Sequence, residues 1–179
     1  MRIISGIYKG RIIAAPKGHR THPMSERMRG ALFNSLGDIS GLRVLDAYAG
    51  SGAVGIEAIS RGASFVMFID QDKNAFNAIN SNIKLLRIEN AKATKANVAS
   101  WSDHNFETVF DILIADPPYD SINSDHFTKL ARNIKAGGLF VLSLPKKNNI
   151  KLTDEFEQKF NKSYADGSIS VYSKQPRQN

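Results

Sequence analysis

Cysteine is absent from the 179 residues, which removes a disulfide scaffold, a thiolate metal site and a cysteine nucleophile together. Long apolar runs are absent too. The most hydrophobic stretches, residues 112–115 and 139–144, fall far short of the roughly 20 residues that cross a bilayer. The opening MRIISGIYKGR lacks the apolar core of a secretory signal. Internal repeats and low-complexity tracts are missing, and tryptophan occurs once, at Trp101. With 42% hydrophobic and 23% charged residues, the balance excludes disordered and collagen-like chains. A cytoplasmic monomer with no membrane partner is the expectation.

Acidic residues are scarce in one place. Residues 1–35 hold Glu26 alone against Arg2, Lys9, Arg11, Lys17, Arg20, Arg27 and Arg29. Nearly all of the net charge of +7 therefore lies in this segment. A concentrated basic segment suits a polyanion, because each Lys or Arg set on a phosphate releases condensed counterions. A merely solubilising surface is the plainer alternative.

Within that segment, β-formers mixed with glycine and proline over residues 1–23 predict a short hairpin and a loop. Ser25 is a fitting cap for a helix to Leu36, with Met28, Ala31, Leu32 and Leu36 on its apolar face and Arg27 and Arg29 more exposed. From Leu42 onward strands alternate with helices. Strands are expected at 43–48, 64–70, 91–97, 110–116 and 138–145, and helices at 53–61, 73–86 and 126–134. Two further strands, 159–165 and 168–173, flank a turn at Asp166 and Gly167. FVMFI, DILIA and LFVLS are continuous apolar runs, the pattern of parallel strands covered on both faces. The fold class is α/β, Rossmann-like: an open, doubly wound, mostly parallel sheet ending in an antiparallel hairpin. Residues 1–36 form a basic extension and residues 37–179 the main domain. Deleting residues 1–20 is expected to leave the glycine loop and the Asp116–Tyr119 pocket untouched, so that the ligand still binds if the sheet survives.

The first core strand runs into Asp46-Ala-Tyr-Ala-Gly50-Ser-Gly52-Ala-Val-Gly55. The G-x-G-x-x-G spacing alone would suggest a dinucleotide. Asp46 argues otherwise, since a carboxylate there would oppose a pyrophosphate. It suits a cationic ligand such as S-adenosylmethionine, which carries an ammonium and a sulfonium. Asp70, at the end of the next strand, is then placed to accept both ribose hydroxyls. Tyr48 is either core or a contact to the methionine moiety.

Strand FDILIA leads into Asp116-Pro117-Pro118-Tyr119. The two prolines stiffen an extended loop and remove backbone donors. What remains is the Asp116 carboxylate, the Pro117 carbonyl and the flat face of Tyr119. That set receives a planar base presenting an amino group. Two N–H bonds would orient the nitrogen for in-line attack on a sulfonium methyl.

Four stretches carry a resemblance: RIISGIYKGRIIAAPKG, HPMSERMRGALFNSL, LDAYAGSGAVGIEAISRGA and DPPY. Together they resemble the bacterial small-subunit (16S) ribosomal RNA guanine-N2 methyltransferases, class I adenosylmethionine-dependent enzymes with a D-P-P-Y motif. The resemblance implies methyl transfer from S-adenosylmethionine to guanine N2, with ribosomal RNA or the small subunit as partner. It implies a cofactor set of Asp46, Tyr48, Ala49, Gly50, Ser51, Gly52, Asp70, Gln71, Asn97, Val98 and Asp116. Asn97 stands where the family has an acid at the adenine. Catalytic roles fall to Asp116, Pro117 and Tyr119, and RNA contacts to Arg2, Lys9, Arg11, Arg20, Arg27 and Arg29. His22, Met24 and Gly30 depart from the family pattern. A DNA adenine-N6 methyltransferase would share the D-P-P-Y chemistry but needs a target-recognition element for which there is no room. A non-catalytic RNA-binding assembly protein would have no use for Asp46, Asp70 and D-P-P-Y at once. No metal is expected, as His19 and His22 have no third ligand nearby. Ser51 lacks the G-x-S-x-G setting of a hydrolase.

Overall fold

The computed structural model describes residues 1–18, 23–120, 122–146, 150, 152–165 and 167–176. The elements are α1 (Glu26–Leu36), β1 (Arg43–Ala47), α2 (Ala53–Ser60), β2 (Phe65–Asp70), α3 (Lys73–Leu86), β3 (Ala91–Lys95), α4 (Val98–His104), β4 (Phe110–Ala115), α5 (Ser124–Leu130), a 3-10 turn (Ala131–Asn133), β5 (Ile134–Leu144), β6 (Phe156–Tyr164) and β7 (Gly167–Lys174). The strands form one sheet in the order β3-β2-β1-β4-β5-β7-β6. The five strands from β3 to β5 run parallel, and β7 pairs antiparallel with both β5 and β6. Strand order reverses between β1 and β4, so their carboxyl ends flank the crevice where open α/β sheets bind ligands. Among the described residues no helix is long and apolar enough to cross a membrane.

Alternation along the strands divides the core. Val44, Phe68, Ile112, Ile114 and Val141 face the side covered by the N-terminal segment, α1, α2 and α3. Leu45, Met67, Leu113, Phe140 and Leu142 face α4 and α5. Trp101 lies in this second layer, 6.4 Å from the Phe110 ring centroid, as a core residue. Gly55 explains how closely α2 approaches the sheet: a Cβ there would stand 2.2 Å from Cε1 of Phe68.

The strand–helix alternation matches the sequence reading, with differences at several bounds: β5 begins at Ile134 rather than 138 and β6 at Phe156 rather than 159. Helix α4 was not anticipated, and β3 stops at Lys95 because Asn97 turns to cap α4 through Ala99 N–H and Ser100 N–H. The helix expected at 126–134 begins earlier, at Ser124, and its end tightens into the 3-10 turn. The turn residue Asp166 lies outside the described residues. The N-terminal hairpin reduces to one antiparallel bridge, Arg2 with Ile12.

The backbone donors of that segment go elsewhere. Ile4 and Ser5 N–H donate to the two oxygens of Glu57 at 2.8 and 3.0 Å. Ile7 N–H donates to the Ser60 carbonyl and Tyr8 N–H to the Ser60 hydroxyl, both at 2.9 Å. Helix α2 thus serves as the anchor for residues 4–8. Ile3 and Ile13 are fully buried in the same core layer as Val44 and Ile114. The expectation that deleting residues 1–20 leaves the pocket untouched is therefore corrected: Ile3 and Ile13 are core residues, and Ala15 and Pro16 line the cavity itself.

A second correction concerns Arg29. It is not exposed: its side chain is wholly buried, forms an ion pair with Glu57 at 3.6 Å, and donates through Nη2 to the Arg2 carbonyl. Glu57 also accepts from Arg61 Nε at 2.9 Å. A buried carboxylate needs such partners, because an unpaired charge in the core is costly.

Candidate active site

A cavity of about 960 Å³ opens at the carboxyl ends of β1, β2 and β4. One wall is the loop after β1, from Tyr48 to Ser51, with Asp46 behind it. Asp70, Gln71 and Asp72 form the side beyond β2, and Asp116 to Asp120 the side beyond β4. Ala15, Pro16, Pro23, Met24 and Met28 bring the N-terminal segment over it. Five aspartates line this cavity, and its described lining contains no Lys, Arg or His. Such a surface repels phosphates and favours a cation.

Asp46 is buried, and its Oδ2 accepts Gly55 N–H at 2.8 Å. Burial pushes its pKa well above the ordinary carboxylate value; the Gly55 donor opposes the rise, and the charges of Asp116 and Asp70 add to it. Asp70 spreads its carboxylate between Gly50 N–H on Oδ2 and Asp72 N–H on Oδ1, each at 2.8 Å. Each oxygen keeps a second lone pair for a ligand hydroxyl. Gly50 and Ser51 reach the cavity, whereas Gly52 sits behind them in a left-handed turn as the N-cap of α2. Ala49 is held by donating its N–H to the Ile69 carbonyl at 3.0 Å.

Tyr48 occupies the left-handed region at φ 61°, rare for a side chain of this size. Its hydroxyl meets Nδ1 of His126 at 2.9 Å. Burial raises the phenol's pKa further, so it stays a neutral hydroxyl.

Asp116 follows β4, and its N–H reaches the Ala47 carbonyl at 3.5 Å. Burial pushes its pKa up to about 6, against a lowering influence from the Ser143 hydroxyl. Pro117 is buried and Pro118 half-buried. Tyr119 is 45% exposed. Its hydroxyl lies so close over Gly167 that a Cβ there would stand 2.3 Å away. The start of β7, at Gly167, is thereby the floor under Tyr119.

Three expected cofactor residues stand apart from the cavity lining: Gly52, as above, with Asn97 and Val98. Val98 is buried at the start of α4, and the Asn97 side-chain oxygen is taken up by capping. Asn97 acts at one remove, donating from Nδ2 to Oε1 of Gln71 at 3.2 Å. The expected RNA contacts Arg2, Lys9, Arg11 and Arg27 are exposed, while Arg20 and the His19/His22 pair lie outside the described residues. Among the described residues no group of three His, Asp or Glu is placed to hold a metal ion.

Sequence reasoning missed Asn82. From α3, this buried amide accepts Ala14 N–H at 2.9 Å and donates to the carbonyls of Ala14 and Ser51 at 3.0 and 2.9 Å. It pins the N-terminal segment to the glycine loop. Of the four asparagines in α3, Asn82 alone falls on the apolar face with Ala75, Ala78, Ile79 and Leu86, and that placement was the available signal.

The family model described as conserved hypothetical protein 95 matches residues 1–173. The chain belongs to that family. Within the conserved hypothetical protein 95 family, its relatives carry specific names. Ribosomal RNA small subunit methyltransferase D of Buchnera aphidicola (subsp. Acyrthosiphon pisum) is 39% identical over 118 residues, 65% of this chain and 62% of the relative. The protein of the same name from Escherichia coli K12 is 34% identical over 120 residues, 66% of this chain and 60% of the relative. The match thus spans less than two thirds of either relative's length. Among solved structures, Escherichia coli yhhF, provisionally named a methyltransferase, superposes with a TM-score of 0.88 at 27% identity, covering 98% of both chains. The ribosomal protein L11 methylase of Lactobacillus delbrueckii, at 18% identity and a TM-score of 0.76, shares the fold. The sheet is that of the class I methyltransferases, as the motifs implied.

Proposed function

We propose that the cavity binds S-adenosylmethionine and that the chain methylates the exocyclic N2 of a guanine in small-subunit ribosomal RNA. The observation that carries this reading is the aspartate-lined cavity, whose described lining lacks basic side chains, opening directly onto Asp116-Pro117-Pro118-Tyr119. The names of the relatives point the same way.

Asp46 and the glycine loop would face the ammonium and sulfonium end, and Asp70 the ribose. Gln71, steadied by Asn97, borders the far side. When bound, the cofactor supplies an electrophilic methyl group on sulfur. The Asp116 carboxylate and the Pro117 carbonyl would accept the two amine N–H bonds. This draws the nitrogen lone pair out of conjugation with the ring and aims it into the cavity. With a pKa near 6, Asp116 is ionised at neutral pH and basic enough to take the proton that the methylated amine sheds. Tyr119 offers its exposed ring as a stacking face for a base that has left its stack.

The basic segment, residues 1–36, is assigned to RNA. Arg2, Lys9, Arg11 and Arg27, on the outer surface, would meet phosphates, with Arg20 in the same stretch. The chain would act as a monomer on RNA or on the small subunit. A methyl-transfer assay comparing naked ribosomal RNA, assembled small subunits and duplex DNA, followed by nucleoside analysis, tests the proposal. N2-methylguanosine from an RNA substrate is the expected product. Methyladenine in DNA, or no transfer to any of the three, would overturn it.

A further inference from the structure

The cavity contains a buried hydroxyl that the reading above leaves unused. Ser143, near the end of β5, is 1% exposed and lines the cavity. Its Oγ makes no hydrogen bond of ordinary length and angle to any described residue, although it is near enough to Asp116 to oppose the rise of that carboxylate's pKa. Buried hydroxyls are nearly always partnered, and one left alone at a site calls for an explanation.

The sheet register supplies it. Ile114 on β4 pairs with Asp46 on β1 and with Val141 on β5. All three point to the face covered by the N-terminal segment, α1 and α2. Two residues further along, at the same edge, stand Asp116 after β4 and Ser143 on β5. Paired residues of parallel strands share a face, so Ser143 is the lateral neighbour of Asp116. On its other side Ser143 pairs with Ile169 of β7, whose side chain offers no polar atom. In this row the hydroxyl's natural partner is the carboxylate of Asp116.

We propose that Ser143 is a positioning residue for the transfer, its hydroxyl donating to the Asp116 carboxylate and fixing the plane in which that carboxylate accepts the substrate amine. The inference rests on the role assigned to Asp116 under the proposed function. A donor to one oxygen leaves the other to point at the amine, and it favours the ionised carboxylate. Of the other cavity-lining groups, Asp46 and Asp70 are carboxylates themselves, and the Tyr48 hydroxyl is engaged with His126.

Ser143→Ala is the test, alongside Asp116→Asn. The variant should keep its adenosylhomocysteine affinity and its RNA KM within about twofold, while kcat falls about tenfold. The acidic limb of its kcat profile should move to higher pH. A readout on the protein alone accompanies this: carboxyl-carbon NMR titration, with the Asp116 signal assigned by its loss in Asp116→Asn. That signal should titrate at higher pH in Ser143→Ala. An unmoved Asp116 titration and an unmoved acidic limb would overturn the inference. The two readings fail separately. If Asp116→Asn retains full transfer, the role of Asp116 is wrong. If Asp116→Asn is inactive while Ser143→Ala titrates as the parent does, the Ser143 inference alone falls.

Discussion

The hydroxyl of Tyr48 and Nδ1 of His126 meet at 2.9 Å, and this bond joins the glycine loop after β1 to the first turn of α5. Tyr48 lines the cavity, while His126 stands outside its lining. Tyr48→Phe keeps the ring and the left-handed backbone but cuts the tie. Stability should fall by about 0.5–1.5 kcal/mol in denaturant unfolding, the net worth of one hydrogen bond. A variant as stable as the parent would show that the bond does not hold the two loops together.

Asp70 is already shared between Gly50 N–H and Asp72 N–H, so its removal both loosens the loop and deletes the ribose acceptor. Asp70→Ala should weaken adenosylmethionine binding by about 1–3 kcal/mol. Titration calorimetry reads this directly, and unchanged affinity would take Asp70 out of the ligand site.

Asp116 has a folded pKa of about 6, above its ordinary value of 3.8. A group raised in this way gives stability that is complete below about pH 3.8 and lost as pH rises through about 6. Asp116→Asn removes that loss. The variant should be more stable than the parent at pH 8, by about 2–3 kcal/mol, and no more stable at pH 4. Methyl transfer should collapse in the same variant and, in the parent, rise with pH through about 6. Thermal melts at pH 4 and 8 decide the first point, and a lower melting temperature of the Asn variant at pH 8 would contradict it.

Glu57 holds Arg29, Arg61 and two backbone N–H groups of the N-terminal segment at once. Glu57→Ala should cost about 3–5 kcal/mol, because it leaves a buried guanidinium without its partner. Denaturant unfolding should show the loss, and a cost below about 1 kcal/mol would mean the clamp contributes little.

Strands β2, β4 and β5 were legible because each carries a short apolar run near turn residues, whereas β3, AKATK, is only weakly marked; both motif loops sit directly at strand ends. Arg29 was not, because a helical pattern built on Met28, Ala31, Leu32 and Leu36 leaves it on the flank. Phe33, four residues on and fully buried, shares its face and marks the correct one. Glu57 inside the apolar run AVGIEAIS was the complementary signal: a carboxylate on a buried helix, with Arg61 at i+4 as its local cation, has an oxygen left for a second cation from elsewhere. Helix α4 was hidden because VASWSDH is too short and too polar to show a period. The roof over the cavity was hidden for a different reason. It joins residues 52–68 positions apart through backbone donors, which leave no trace in side-chain pattern.

Because the N-terminal segment is part of the core, its role with RNA is tested by charge removal rather than deletion. Lys9→Ala, Arg11→Ala and Lys17→Ala combined should leave adenosylmethionine affinity unchanged. The slope of log K for RNA against log salt should become shallower by up to about 0.7 per lost phosphate contact, about two units in all. An unchanged slope would move the RNA-binding surface elsewhere.

Gly167 lies beneath the Tyr119 hydroxyl, and it begins β7, which inserts between β5 and β6. During synthesis, which runs from N- to C-terminus, the two halves of the cavity are therefore completed at different moments. The glycine loop, Asp70 and Asn82 precede β7 by more than eighty residues. The floor under Tyr119 is completed only when β7 has left the ribosome and taken its place between β5 and β6. A chain stopped short of Gly167 would carry the pocket for one reactant and lack the seat for the other.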